Sequence, residues 1–172
     1  MINPEIENYC IAQSSPLQSV LDELERFTYL KVQMPHMISG KLQGQILSMI
    51  STIKQPRVIL EVGTFTGYAT ICLHSGLQES GKLYTIDINS ELEEDVKSFF
   101  EKANVSRGTE YIIGNAISVI PKINDSFDLV FLDADKKKYI DYLNIVIPKM
   151  NSGALLITDN VLWKGKVAAA IM

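Results

Sequence analysis

Three side chains in the C-terminal third of the chain have types and spacing that suit a hard metal ion. Asp133 closes one apolar run, Phe127-Asp128-Leu129-Val130-Phe131-Leu132, and Asp159-Asn160 closes another, Leu155-Leu156-Ile157-Thr158. If the two runs are adjacent parallel strands, about 4.8 Å apart, their ends converge on one point. Two carboxylates and an amide oxygen, with no histidine or thiolate beside them, favour Mg²⁺ or Ca²⁺ over zinc. They also leave positions on an octahedral ion for water and substrate. Any one of these carboxylates alone reads as a loop-solvating or helix-capping group; three donors at neighbouring strand ends read as a metal set. Lys136, three residues beyond Asp133, is placed to act as a general base or as an electrostatic partner for an ionising hydroxyl. Lys137 and Lys138 read as solvated.

A second constellation lies upstream. Residues 58–67, Val-Ile-Leu-Glu-Val-Gly-Thr-Phe-Thr-Gly, run a buried strand into two glycines spaced to open a helix against a ligand. The dinucleotide pattern G-x-G-x-x-G fits in no register, because glycine would be needed where Glu61 and Thr66 stand. Glu61 would repel a pyrophosphate and suits a positively charged ligand; S-adenosylmethionine, a sulfonium with an amino acid tail, is one. The run Leu83-Tyr84-Thr85-Ile86-Asp87 ends in a carboxylate 24 residues after Gly63, close to the ~20-residue spacing at which an acid meets a ribose hydroxyl. Asp87 therefore reads as a ribose ligand; the alternative, a cap on the next helix, suits Ser90 better. Gly114-Asn115-Ala116 reads equally as an adenine-flanking loop and as an ordinary helix start. Tyr68 and Trp163 could wall a methionine tail or an aromatic substrate, although helix packing accounts for Tyr68 as well.

The elements that must position these groups follow from the hydrophobic periods. Short apolar strands at 58–62, 82–87, 109–113, 127–132 and 153–158 alternate with helical periods near 67–77, 91–103, 115–120 and 137–149. That alternation is the pattern of a parallel sheet with crossovers, and right-handed connections imply the strand order 3-2-1-4-5. Ser90 and Glu93 form a capping box ahead of the second of these helices. Before the first strand, residues 1–55 read as a helical cover. It comprises an amphipathic start around Ile6, Tyr9 and Ile11, a helix from a Ser15-Pro16 cap to about Lys31, and a helix from Gly40 to about Lys54. The chain is thus expected to be a single α/β domain over residues 1–172, a doubly wound, mostly parallel Rossmann-like sheet at 56–172 behind that cover.

Composition narrows the partners. With 16 basic against 20 acidic residues the net charge is −4, and the only basic run is Lys136-Lys137-Lys138, so nucleic acid is not an expected partner. No export signal and no apolar run near 18 residues is visible, so no membrane association and a cytoplasmic location are expected. Cys10 and Cys72 fall on different helices without metal-ligand spacing and read as reduced.

Taken together, LEVGTFTGYAT at 60–70, YTIDIN at 84–89, DLVFLDADKKKYIDYL at 128–143 and LLITDNVLWKGKV at 155–167 resemble the cation-dependent class I O-methyltransferases, the group of catechol and caffeoyl-coenzyme A O-methyltransferases. The resemblance runs from about Met34 to Val167. It implies a class I methyltransferase fold and S-adenosylmethionine-dependent methyl transfer to a hydroxyl of a catechol-like or hydroxycinnamoyl-type aromatic substrate. It also implies a divalent cation, Mg²⁺ first, and a homodimer. In that family the positions matching Met37, Glu61, Gly63 and Ala116 belong to the cofactor site, and the position matching Asp87 holds the ribose. Asp133, Asp159 and Asn160 are the implied metal ligands, Lys136 is the implied catalytic lysine, and Asp133 is shared among the metal, catalytic and cofactor sets. The family continues past this last strand with a helix and two strands that the 172 residues do not contain. Two other readings compete: a non-catalytic cofactor-binding or oligomerisation module, and an NAD-dependent oxidoreductase. The second lacks both the glycine pattern and a suitably placed Tyr-x-x-x-Lys.

Overall fold

The computed structural model describes residues 3–162 and 165–169, so Trp163 lies outside the described residues. Five strands form one parallel sheet: β1 (Val58–Val62), β2 (Lys82–Asp87), β3 (Thr109–Ile113), β4 (Phe127–Leu132) and β5 (Met150–Thr158). Their order is β3-β2-β1-β4-β5, as the alternating periods require. The central strands are buried on both faces, which is why β1 and β4 read as nearly continuous apolar runs.

The pleat divides the core into two layers. Ile59, Leu83, Leu129 and Phe131 face α2 (Val20–Lys31), α3 (Gly40–Lys54), α4 (Tyr68–His74) and α5 (Glu93–Lys102). Leu60, Val62, Ile86, Val130 and Leu132 face α6 (Ala116–Val119) and α7 (Tyr139–Val146). Full burial of a side chain such as Phe131 contributes about 1.5–3 kcal/mol. A first helix, α1 (Pro4–Gln13), is capped by Asn3 and fully buries none of its residues; of the expected apolar face, Ile6 and Tyr9 are exposed and only Ile11 is half-buried, where the helix meets α3. A short helix, α8 (Lys166–Ala169), follows β5.

Three local expectations are corrected. The second helix begins at Val20, after Ser19, and not at Ser15-Pro16. Ser90 lies within a 3₁₀ turn over Ser90–Leu92, and the capping side chain is Asn89, whose carboxamide oxygen accepts from the Glu91 amide at 2.9 Å. Strand β5 starts three residues early, because Met150 pairs with Phe127 through a register shift that recruits Asn151-Ser152-Gly153, residues of poor strand propensity.

Among the described residues no strand pairs with the outer edge of β5, and Leu155 and Leu156 stand 42% and 36% exposed on its two faces. An open apolar edge templates pairing with another chain. The 172-residue polypeptide is therefore expected to self-associate at micromolar concentration in sedimentation velocity; a monomer that persists over that range would show this edge to be inert.

Candidate active site

Every crossover from a strand to its helix opens at the same end of the sheet, and there a cleft of about 1020 Å³ forms over the carboxyl ends of β1, β2, β3, β4 and β5. Its walls bring together Met37, Gly63, Tyr68, Asp87, Ala116, Asp133, Lys136, Asp159 and Asn160. Of the residues singled out from the sequence, Glu61 does not line the cleft.

The loop after β1 is shaped by backbone constraints. Gly63 has φ +106°, and a Cβ there would sit 2.2 Å from the Asp133 carbonyl oxygen, so only glycine lets β1 and β4 close at their ends. The amide of Asp133 in turn donates to the Val62 carbonyl at 2.9 Å. Phe65 is held left-handed at φ 49°, and its amide donates to the Asp87 carboxylate at 2.7 Å. A charge-assisted hydrogen bond of this kind offsets the conformational cost. The other Asp87 oxygen accepts from the Asn89 amide at 2.9 Å, so this carboxylate ties together the loops after β1 and β2 at the cleft wall. Met34 and Asn160 are also left-handed, at φ 54° and 55°, and both line the cleft. Backbone strain is thus concentrated around this opening.

On the far side, Lys136 donates to the Asp133 carboxylate at 3.0 Å in a half-buried pair. The Asp133 carboxyl is held above the usual carboxylate range, chiefly by burial and further by the Asp159 charge, with Lys136 opposing both. Asp159 accepts from the Gln43 carboxamide at 3.1 Å, and its amide donates to Leu132 at 3.0 Å, which aligns the ends of β4 and β5. The Tyr139 hydroxyl lies 3.2 Å from the Leu132 carbonyl oxygen and 3.0 Å from that of Asp159, so its one proton is shared between them and braces the same junction. Among the described residues no group of three or more His, Cys, Asp or Glu side chains gathers. The set at this corner is two mutually repelling carboxylates with one neighbouring amide residue, Asn160, a chemistry that fits a hard divalent cation. Ala116, behind an Asn115 cap, and Met37, at the end of a 3₁₀ turn, complete the walls. Tyr68 is 2% exposed, so its ring serves the core as well as the cleft.

Glu61 is 0% exposed and points from β1 into the layer beneath the cleft, where the hydroxyls of Thr70 and Thr85 donate to one of its carboxylate oxygens. Glu61 lies one residue inside the strand end, beneath the start of α4, so Val62 and Gly63 reach the cleft in its place. Burial pushes the Glu61 carboxyl up to about 8; the two threonine hydrogen bonds oppose this, and the charges of Asp133 and Asp87 add to it. Because the acid is raised above its unfolded value of 4.5, folding takes up a proton between the two values. Stability is therefore expected to fall as pH rises from about 5 to 8. In urea denaturation Glu61→Gln should lose this slope and gain on the parent by roughly 2 kcal/mol between pH 6 and pH 8. Parallel pH profiles for parent and variant would assign the titration elsewhere.

Thr64 and Phe65, both on the cleft wall, were not singled out by sequence reading. Their signal was available only as positions between two glycines. The cleft can hold an extended ligand at Gly63, Asp87 and Ala116, with reactive chemistry at the Asp133–Lys136 corner.

Comparison with known proteins agrees. A family model described as O-methyltransferase matches residues 11–170. Caffeoyl-CoA O-methyltransferase 2 of Petunia hybrida is 35% identical over 133 residues, covering 74% of this chain and 55% of that protein. The chain thus spans about half the length of the curated relatives it matches. The O-methyltransferase from Bacillus cereus, solved in complex with SAH, superposes with a TM-score of 0.90 at 27% identity, over 98% of this chain and 78% of that one. The O-methyltransferase TomG from Streptomyces achromogenes, solved with SAM, superposes at 0.89 with 27% identity, over 95% and 75%. With a doubly wound sheet and a family match over nearly its whole length, this chain belongs to the O-methyltransferase family.

Proposed function

We propose that the protein transfers the methyl group of S-adenosylmethionine to a hydroxyl of a catechol-like or hydroxycinnamoyl-type aromatic substrate, with the help of a divalent cation. The observation that carries this reading is the single cleft whose two ends differ in chemistry. One end offers Gly63, Asp87, Ala116, Met37 and Tyr68 to a nucleoside with an amino acid tail; the other offers Asp133, Lys136, Asp159 and Asn160. Relatives named for caffeoyl-CoA methylation, and neighbours solved with SAM or SAH, support it.

In this reading Asp87 accepts from the ribose hydroxyls, while Met37 and Tyr68 border the methionine tail and Ala116 the adenine. Asp133, Asp159 and Asn160 would hold Mg²⁺, which when bound supplies Lewis-acid polarisation of vicinal aromatic hydroxyls. Lys136, already hydrogen-bonded to Asp133, stabilises or accepts the proton leaving the acceptor hydroxyl at its Nζ. The phenolate oxygen then attacks the sulfonium methyl, the C–S bond breaks, and the neutral thioether leaves. No covalent protein intermediate forms. Rate enhancement rests on holding donor and acceptor in line, an effect worth on the order of 7–11 kcal/mol in well-oriented reactions. A homodimer belongs to the same reading.

Calorimetric titration tests the cofactor assignment. SAM and SAH are expected to bind and NAD is not, and Asp87→Ala should weaken SAM by roughly 1–3 kcal/mol. Binding of NAD in place of SAM, or an Asp87→Ala variant that binds SAM as the parent does, would refute the assignment.

A further inference from the structure

The fully buried Glu61 carboxylate is joined to the cleft by a directional chain of hydroxyls. The Thr85 hydroxyl donates to Glu61 Oε2 at 2.5 Å, and Thr85 Oγ1 lies 2.6 Å from Thr64 Oγ1. A hydroxyl has one proton to give. Since that of Thr85 goes to Glu61, the Thr64 hydroxyl must donate to Thr85. Thr70, from α4, donates to the same Oε2 and anchors the carboxylate from the other side. The two threonine hydrogen bonds favour the ionised form of Glu61, in which Oε2 accepts from both and the direction of the chain is set.

Thr64 is 3% exposed and lines the cleft between Gly63 and Phe65. With its only proton committed inward, its oxygen can offer the cleft nothing but an acceptor lone pair. Its position is fixed from both sides, because the Gly63 amide donates to Ile86 at 2.9 Å and the Phe65 amide is held by Asp87.

We propose that Glu61 is a positioning residue: it acts on the cofactor without touching it, by orienting the Thr85 and Thr64 hydroxyls so that Thr64 Oγ1 presents a hydrogen-bond acceptor to a donor group of S-adenosylmethionine. This deepens the cofactor assignment above and rests on it. The acceptor on Thr64 thereby favours a ligand that offers a hydrogen-bond donor at this point of the cleft wall.

The test uses Thr85→Val, which cuts the chain at its middle with nearly the same shape, and Thr85→Ser, which restores the hydroxyl. Thr85→Val and Thr64→Val are each expected to raise the Kd for SAH roughly five- to tenfold, the worth of one hydrogen bond. The double variant should be no weaker than either single one, and Thr85→Ser should return to within twofold of the parent. Amide exchange at Phe65, measured without any ligand, should accelerate in Thr85→Val and recover in Thr85→Ser. If Thr85→Val binds SAH as the parent does, or if the two valine substitutions multiply, the relay is refuted while SAH binding by the parent leaves the cofactor assignment standing. Unchanged Phe65 exchange in Thr85→Val refutes the relay irrespective of ligand. A parent that fails to bind SAH refutes the cofactor assignment and the inference with it.

Discussion

Gly63→Ala is expected to destabilise the protein by roughly 2–5 kcal/mol and to abolish cofactor binding in whatever fraction folds. Two costs combine at this position. A left-handed φ of +106° is unfavourable for any side chain, and the new methyl would lie 2.2 Å from the Asp133 carbonyl oxygen and 2.8 Å from its carbon. That neighbour is backbone at the end of a buried strand, so it cannot swing aside as a side chain would. Relief would require β1 and β4 to part where Gly63 and Asp133 share the cleft wall. Gly153→Ala separates the two effects, because Gly153 has φ +76° with nothing within 4 Å of the added carbon. It should cost only about 1–2 kcal/mol and leave SAH affinity unchanged. Equal losses in the two variants, by urea denaturation and calorimetry, would show that backbone strain alone makes Gly63 necessary.

Removal of the proposed divalent cation is expected to have the larger effect on turnover. EDTA, or Asp159→Ala, should lower methyl transfer to an aromatic vicinal diol roughly a hundredfold or more, with SAH affinity held within about twofold. The separation is expected because Asp159 directly follows β5, beyond β4 from Gly63 and two strands beyond β1 from Asp87. Its side chain meets Gln43 and the Asn160 amide, whereas Asp87 holds the loop after β1. Restoration by added Mg²⁺ in the EDTA-treated parent, but not in Asp159→Ala, would assign the cation to this corner. Undiminished turnover in EDTA would remove the metal from the proposed reaction, and parallel loss of SAH affinity would mean that the two ends of the cleft are not independent.

What the amino-acid sequence by itself determined is the scaffold. Strands β1 to β4 fall where runs such as Val58-Ile59-Leu60 and Phe127-Asp128-Leu129-Val130-Phe131 end in chemistry-bearing residues, and their alternation with helical periods leaves few topologies open. These signals are local, since a strand buried on both faces must be apolar throughout and a right-handed crossover must return parallel. The convergence of Asp133 and Asp159 was legible for the same reason: both terminate strands that the topology makes neighbours. Tertiary structure decided what depends on direction and packing. Glu61, two residues before Gly63, looked like a cleft residue, yet its place inside the strand buries it under α4, where Thr70 and Thr85 donate to it. Asp87 reads as a ribose ligand in the sequence, but its oxygens hold the amides of Phe65 and Asn89, so this residue of the cleft wall also shapes the loop. Asn151-Ser152-Gly153 carries no strand signal and joins β5 because Phe127 is there to pair with Met150. Hydrophobic period specifies which segments are buried; only the packed arrangement of those segments specifies where a buried polar side chain finds its partner.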